Sequence, residues 1–382
     1  MHKPSNFRNW SILIVVALMI MAAIIHGAKV SEGTQRHYLE ETFNASNCNF
    51  KPINANKWEL SGLEPNCTGH VYFGEGYGYN GPVRVMFHTD TVGFIQFIVP
   101  VDHNETPSYF KKLEQHGFLN HMISTQIALY KDEEPVDMVS GATISSRAIQ
   151  QAIRDGYLKG EQLSTQSKQI QFGMLELCIL VLFLMGMLIH TKYGHSQRRL
   201  LRWSSMVLSV IVLGFVFNAH LHLSRIAAFL AGYFPDFFLY PAVYLLIGGS
   251  LVIALLSGKN VYCHSVCPFG SAQEILAKIG GGKPRRPPWH RTWKWVQYGG
   301  ALIVLLYALS NSNPGLAHYE VFGAFFSLTG NPLLLGITIP VVVISLFVKR
   351  FWCRFICPID GVFAYIRLFR NTIIQTFAQL LK

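Results

Sequence analysis

Six apolar runs separated by polar stretches constrain this fold more than any other feature of the chain. They lie near residues 11–28, 172–190, 203–220, 237–257, 295–311 and 332–348. Each is close to the ~20 residues that an α-helix needs to cross the hydrocarbon of a bilayer. Of the 382 residues, 51% are hydrophobic and only 14% charged, against roughly 25% charged in an average soluble domain. The expected fold class is an α-helical polytopic membrane protein of about six spans. The first run follows a short basic segment with Lys3 and Arg8. Its end, His26-Gly27-Ala28, is a poor cleavage site, so residues 1–28 read as an uncleaved signal anchor rather than a signal peptide.

The net charge of +11 sorts between the loops. Lys192, Arg198, Arg199 and Arg202 follow the second run. Lys259, Lys278, Lys283, Arg285, Arg286, Arg291 and Lys294 separate the fourth from the fifth, and Lys349, Arg350, Arg354, Arg367 and Arg370 follow the sixth. The alternate short loops hold Arg225 alone. Lysine and arginine are retained in cytoplasmic loops, which predicts both termini in the cytoplasm and the polar stretch 29–167 outside it. No compact basic-aromatic nucleic-acid motif is present, so the positive charge points to membrane topology and not to nucleic acid.

Residues 29–167 have the size of one folded domain. Val83–Thr89 and Val92–Val99 alternate like strands, with Asp90-Thr91 between them as a turn. Residues 107–121 read as a helix with Tyr109, Phe110, Leu113 and Phe118 on its apolar side. Gly74 to Gly81 reads as a glycine-rich loop. Farther on stands Asp137-Met138-Val139-Ser140-Gly141-Ala142-Thr143. Ser140-Gly141 is a turn signal, and Thr143 opens a segment with Ile144, Ala148, Ile149, Ala152 and Ile153 at helical spacing. A hydroxyl there can serve as an N-cap, and the free N–H groups of a helix start also favour phosphate.

Two further motifs follow pairs of apolar runs. Tyr262-Cys263-His264-Ser265-Val266-Cys267-Pro268 and Trp352-Cys353-Arg354-Phe355-Ile356-Cys357-Pro358 share the pattern aromatic-C-x-x-x-C-P. Cys353 comes 90 residues after Cys263 (353 − 263), which marks a duplicated two-helix unit. Four soft thiolates are the complement of an iron–sulfur cluster or a zinc site. Buried structural cysteines and thiol–disulfide exchange within each pair are the alternatives. Cys178, inside an apolar run, reads as inert core. Cys48 and Cys67 fall in the polar stretch, where a disulfide is permitted outside the cytoplasm; two separate thiols are the other possibility.

The D-x-x-S-G-A-T stretch resembles the acceptor motif of FMN-binding domains in the small flavin subunits of Rnf and Nqr complexes and in the NosR/NirI family. The landmarks G-x-G-Y-x-G-P, a strand hairpin, and then Glu105-Thr106-Pro107 occur in the family's order, with Ser108 where Gly is usual. The resemblance implies an extracytoplasmic α+β FMN-binding domain over residues 29–167. It implies covalent FMN attached to Thr143 by a flavin transferase through a phosphoester bond. Asp137, Ser140, Gly141 and Ala142 belong to the acceptor motif, and Glu105, Thr106 and Pro107 lie against the flavin. With the two C-x-x-x-C-P motifs in a five-span part, residues 168–382, the resemblance to the NosR/NirI family extends over nearly the whole chain. The family's C-terminal ferredoxin domain is expected to be missing, since the sequence ends at Lys382.

The function expected is transmembrane electron transfer. A cytoplasmic-side or quinol donor would feed extracytoplasmic FMN, and an extracytoplasmic reductase, as in an N2O-respiration-like system, would accept. Alternatives are a flavin-based membrane redox sensor and a metal-site maturation factor. The cysteine site and the flavin are expected on opposite faces, ~30 Å of hydrocarbon apart. His190, His220 and His222, at run ends, read as interfacial polar residues.

Overall fold

The computed structural model describes residues 4–43, 48–62, 67–78, 82–103, 110–111, 113, 115–131, 139, 143–163, 170, 172–189, 191, 197–235, 237–238, 240–283, 290–317, 319, 321–327 and 332–380. Helix α1, Pro4–Phe43, contains the first apolar run and continues well beyond it. The extension is polar, yet Leu39 and Phe43 are buried on the sheet that follows. That packing carries the helix past Ala28.

The sheet has five antiparallel strands in sequential order: β1 (Asn49–Asn54), β2 (Lys57–Ser61), β3 (Gly69–Tyr77), β4 (Pro82–Thr89) and β5 (Ile95–His103). Alternate side chains point to opposite faces. Tyr72, Val83, Val85 and Phe87 face one core, and Val71, Phe73, Met86 and Val101 face the other. The second core is closed by the end of α1 and by the Cys48–Cys67 disulfide, whose Cα atoms are 5.2 Å apart. The first is closed by a short helix α2 (Phe118–Met122) and by α3 (Thr143–Gly160). Ala148, Ile149, Ala152 and Ile153 of α3 are 0% exposed, and burying each isoleucine contributes about 1.5–3 kcal/mol.

The stretch read as a glycine-rich loop is strand through Tyr77. Gly74 and Gly76 lie in β3, and a Cβ on Gly76 would stand 1.6 Å from the Ala148 carbonyl oxygen. These glycines let α3 lie directly on the strand. Their lack of side chains, which suggested a loop, serves close packing.

All five later apolar runs coincide with helices. These are α4 (Met174–Leu188), α5 (Arg198–Leu208) with its π-helical continuation Ser209–Val216, α7 (Pro241–Ser257), α9 (His290–Ser310) and α11 (Pro332–Phe347). Between them stand the shorter α6 (Leu223–Leu230), α8 (Pro268–Ile279) and α10 (Phe322–Ser327). Helices α12 (Phe351–Phe355) and α13 (Pro358–Leu380) end the chain. Among the described residues two helical segments are long and apolar enough to cross a membrane, Arg8–Val30 and Arg198–Val216; Met174–Leu188, Pro241–Ser257 and Gly336–Phe347 are apolar but shorter. Cys178 is half-buried on α4.

The sheet domain is seated on one end of the helices. Arg84 of β4 pairs with Asp102 of β5 at 2.8 Å, donates to the Ser312 carbonyl at 2.7 Å, and lies over the Tyr233 ring.

Candidate flavin and cysteine sites

Thr143 is the first residue of α3, where N–H groups without helical partners favour an anion. Just upstream, the Val139 N–H donates to Ser146 Oγ at 3.3 Å, folding the preceding chain onto the first turn. Asp137, Ser140, Gly141, Ala142, Glu105, Thr106 and Pro107 lie outside the described residues.

The four cysteines of the duplicated motif converge. Cys263, Cys267, Cys353 and Cys357 all line one cavity of about 220 Å³. Each C-P junction is a helix start: Cys267 is the N-cap of α8 with Pro268 in the first turn, and Pro358 opens α13. Proline is suited to that position, and the dipole of each helix favours negative charge on the sulfur before it. Gly270 sits between the two units; a Cβ there would be 3.6 Å from Cys353 Sγ and 3.7 Å from Cys267 Sγ.

Outer groups orient the ligands. Gln273 Oε1 accepts the Trp352 N–H at 2.9 Å, which turns its Nε2 toward Cys353 Sγ at 3.4 Å. Gln297 Nε2 donates to the Cys357 carbonyl at 2.6 Å. Burial pushes the Cys353 thiol up to about 12, reinforced by Cys267. It also raises Cys267, against the opposing pull of the Gly270 N–H and Arg350. A metal centre that binds here must displace thiol protons.

Four cysteines on one cavity match the donor count of an iron–sulfur cluster and of a four-thiolate zinc site alike. Among the described residues no three His, Cys, Asp or Glu side chains are grouped closely enough to hold one ion. The cavity is also lined by Lys294, Arg350, Arg354 and Arg367, with Asp360 as its carboxylate, a cationic surround suited to an anionic four-thiolate cluster.

Arg350 ties the units together. It donates to the Cys263 and His264 carbonyls at 3.0 and 3.3 Å and pairs with Glu274 at 2.7 Å. Its backbone is left-handed, φ 55°, uncommon for a residue with a side chain. Burial raises the Glu274 pKa, but Arg350, Lys349 and Arg202 outweigh it and hold the carboxyl at about 2. Replacing Glu274 by alanine strands a largely buried arginine and is expected to destabilise the fold by about 3–5 kcal/mol. Because the folded pKa is depressed, this stabilisation is present above the ordinary carboxylate pKa and is lost as pH falls toward about 2. Glu274→Gln should therefore flatten the acid limb of a stability–pH curve measured by denaturant unfolding.

A continuous series of contacts links this cavity to the flavin domain. Tyr262, which lines the cavity with Cys267, accepts the Leu221 N–H through its hydroxyl at 2.7 Å. Leu221 and Phe322 line the cavity. His220 and His222 are 0% exposed, with rings 4.4 Å apart, and His220 lies 5.5 Å from Phe322. Arg225 donates to the His220 carbonyl at 3.3 Å and lies 5.9 Å from the Tyr77 ring centroid. The Tyr77 ring is 5.5 Å from that of Tyr240, whose hydroxyl accepts from Gln151 of α3 at 2.8 Å.

One expectation is corrected here. His220 and His222 are interior residues and not interfacial ones. After the π-helix, which often marks functional positions, the chain turns at Asn218 (φ 46°) and runs non-helically back to the cavity. His190 lies outside the described residues.

An FMN-binding domain model matches residues 78–157. A 4Fe-4S binding domain model matches residues 239–287 and 331–375, the segments that hold the two cysteine pairs. Protein NirI of Paracoccus denitrificans is 28% identical over 201 residues, 48% of this chain and 29% of that protein. Regulatory protein NosR of Pseudomonas aeruginosa is 25% identical over 263 residues, 63% of this chain and 35% of that protein. A component of the ion-translocating oxidoreductase complex of Haemophilus influenzae is 33% identical over 82 residues, 19% and 40% of the two chains. The chain thus spans about a third of the length of its NirI and NosR relatives. No solved structure matches it.

These matches show an FMN-binding domain and 4Fe-4S-binding segments in a chain similar to NosR and NirI. The expected lack of a ferredoxin-type part is corrected to this extent: the 4Fe-4S match lies within the helical part and reaches residue 375.

Sequence reasoning missed Gln273, Gln297, Glu274, Tyr77 and Tyr240. Glu274 could have been noticed as an acidic residue in an otherwise basic inter-run segment. The glutamines carry no signal before the two units are brought together.

Proposed function

We propose that this protein transfers electrons across the bacterial cytoplasmic membrane to FMN held covalently on Thr143 in an extracytoplasmic domain. The observation that carries the reading is the unbroken contact series from the four-cysteine cavity to α3, the helix that Thr143 begins. Six helices cross the bilayer with both termini in the cytoplasm. The non-helical segment 218–222 is tolerated there because it is enclosed by protein.

Cys263, Cys267, Cys353 and Cys357 hold an iron–sulfur cluster. The two cofactors supply the redox chemistry, and the chain supplies their position and environment. Gln273 and Gln297 fix the ligands, Lys294, Arg350, Arg354 and Arg367 offset the cluster's charge, and Tyr262, Leu221 and His220 fill the space toward the flavin domain. A flavin transferase attaches the FMN, with Asp137, Ser140, Gly141 and Ala142 as its recognition motif and Glu105, Thr106 and Pro107 against the ring. The donor is a cytoplasmic-side protein or quinol, and the acceptor an extracytoplasmic reductase.

A second reading, a flavin-based redox regulator, is favoured by the name of the NosR relative, a regulatory protein. The test is flavin reduction in sealed vesicles by a reductant confined to the cytoplasmic face. Bleaching of the flavin supports electron transfer, and an oxidised flavin beside intact cofactors supports the regulator.

A further inference from the structure

The outer short loops carry one basic residue, Arg225, an exception to the charge pattern that sets the topology. It stands on α6, half-buried at the contact between the helices and the sheet domain. Its Nε is buried and has no hydrogen-bond partner among the described residues. The guanidinium meets the His220 carbonyl at 3.3 Å and the face of Tyr77; among the described residues no carboxylate pairs with it. A cation withdrawn from water in this way is unfavourable without an anion.

Its surroundings point to which anion belongs there. Tyr77 follows Gly76, which packs on Ala148, and Ala148 is about 7.5 Å along the helix from Thr143. The Tyr77 hydroxyl is also buried without a partner among the described residues. Arg225 and Tyr77 therefore present a cation, an aromatic face and a free hydroxyl beside the first turns of α3.

We propose that Arg225, a residue of the helical part, completes the flavin site and acts as the counter-charge of the reduced isoalloxazine ring. This rests on the reading that Thr143 carries FMN. Two electrons and one proton added to the neutral oxidised ring leave it with one negative charge. The electrons come from the cytoplasmic-side protein or quinol donor, passing one at a time through the four-thiolate iron–sulfur site, and the proton from water at the outer surface. The FMN phosphate, tied at the start of α3, has the helix N–H groups for its own charge, which leaves Arg225 for the ring. Charge close to the ring is a principal means by which a protein sets flavin potential. The residue binds and tunes; it transfers no atom.

The experiment is a spectroelectrochemical titration of the flavin in the full-length protein, matured with its flavin transferase, for the parent, Arg225→Gln, Arg225→Met and Arg225→Lys. The glutamine and methionine variants are expected to keep covalent flavin, seen as fluorescence in denaturing gels. Their midpoint should fall by at least tenfold in the reduction equilibrium, 29.6 mV for two electrons. Lysine should restore most of the shift. Methionine keeps the apolar stem on Tyr77, so it reports the charge if glutamine disturbs folding. Full flavin content with an unmoved midpoint in both neutral variants overturns the assignment of Arg225 while leaving flavin attachment intact. A parent protein without covalent flavin overturns the attachment to Thr143, and this proposal with it.

Discussion

Cys357→Ser protein is expected to lose its iron and acid-labile sulfide while keeping its flavin. Cys357 is 4% exposed on the cavity, its carbonyl is held by Gln297 at 2.6 Å, and its N–H donates to the Trp352 carbonyl at 3.0 Å. The position is fixed by backbone bonds that serine can keep, so the change falls on the ligand atom. A serine hydroxyl is a hard, neutral oxygen where a soft thiolate is required. The loss of affinity should exceed the roughly 10–100-fold that follows removal of an outer-shell partner alone. Anaerobic iron and sulfide analysis reads the loss directly. Retained iron and sulfide in this variant would remove Cys357 from the ligand set, and zinc in the parent protein would remove the cluster. The flavin should be unaffected, because the sheet domain has its own two cores and its own disulfide.

The second large effect is at Thr143. Thr143→Ala protein is expected to carry no covalent flavin, because alanine has no oxygen to form the phosphoester. The fold should tolerate the change: losing a hydroxyl at a helix start costs about 0.5–2 kcal/mol, against a helix with four fully buried apolar residues on its inner face. Denaturing-gel fluorescence and thermal unfolding separate the two effects. A fluorescent Thr143→Ala band places the attachment elsewhere.

Much of this arrangement was legible in the sequence because it is carried by local pattern. The spacing of Ala148, Ile149, Ala152 and Ile153 gave the helix and its buried side. The apolar runs gave the helices, and the repeated C-x-x-x-C-P gave two equivalent units. What escaped depends on segments meeting from far apart. The second half of α1 is polar and helical only because Leu39 and Phe43 find the sheet. Gly74 and Gly76 look like a loop until α3 is laid across them. His220 and His222 follow an apolar run, so counting residues puts them at a membrane face; the turn at Asn218 instead returns them to the interior. Arg225 was visible as an isolated charge, but its meaning depends on Tyr77, 148 residues away (225 − 77) in the chain.

The most direct measurement uses inside-out vesicles containing the holoprotein, with a membrane-impermeant reductant added to the exposed cytoplasmic face while flavin absorbance is followed. The flavin is predicted to bleach in the parent protein and to stay oxidised in Cys357→Ser protein. A flavin that stays oxidised in the parent, with its iron, sulfide and covalent FMN all intact, would contradict electron transfer from the cysteine site to Thr143.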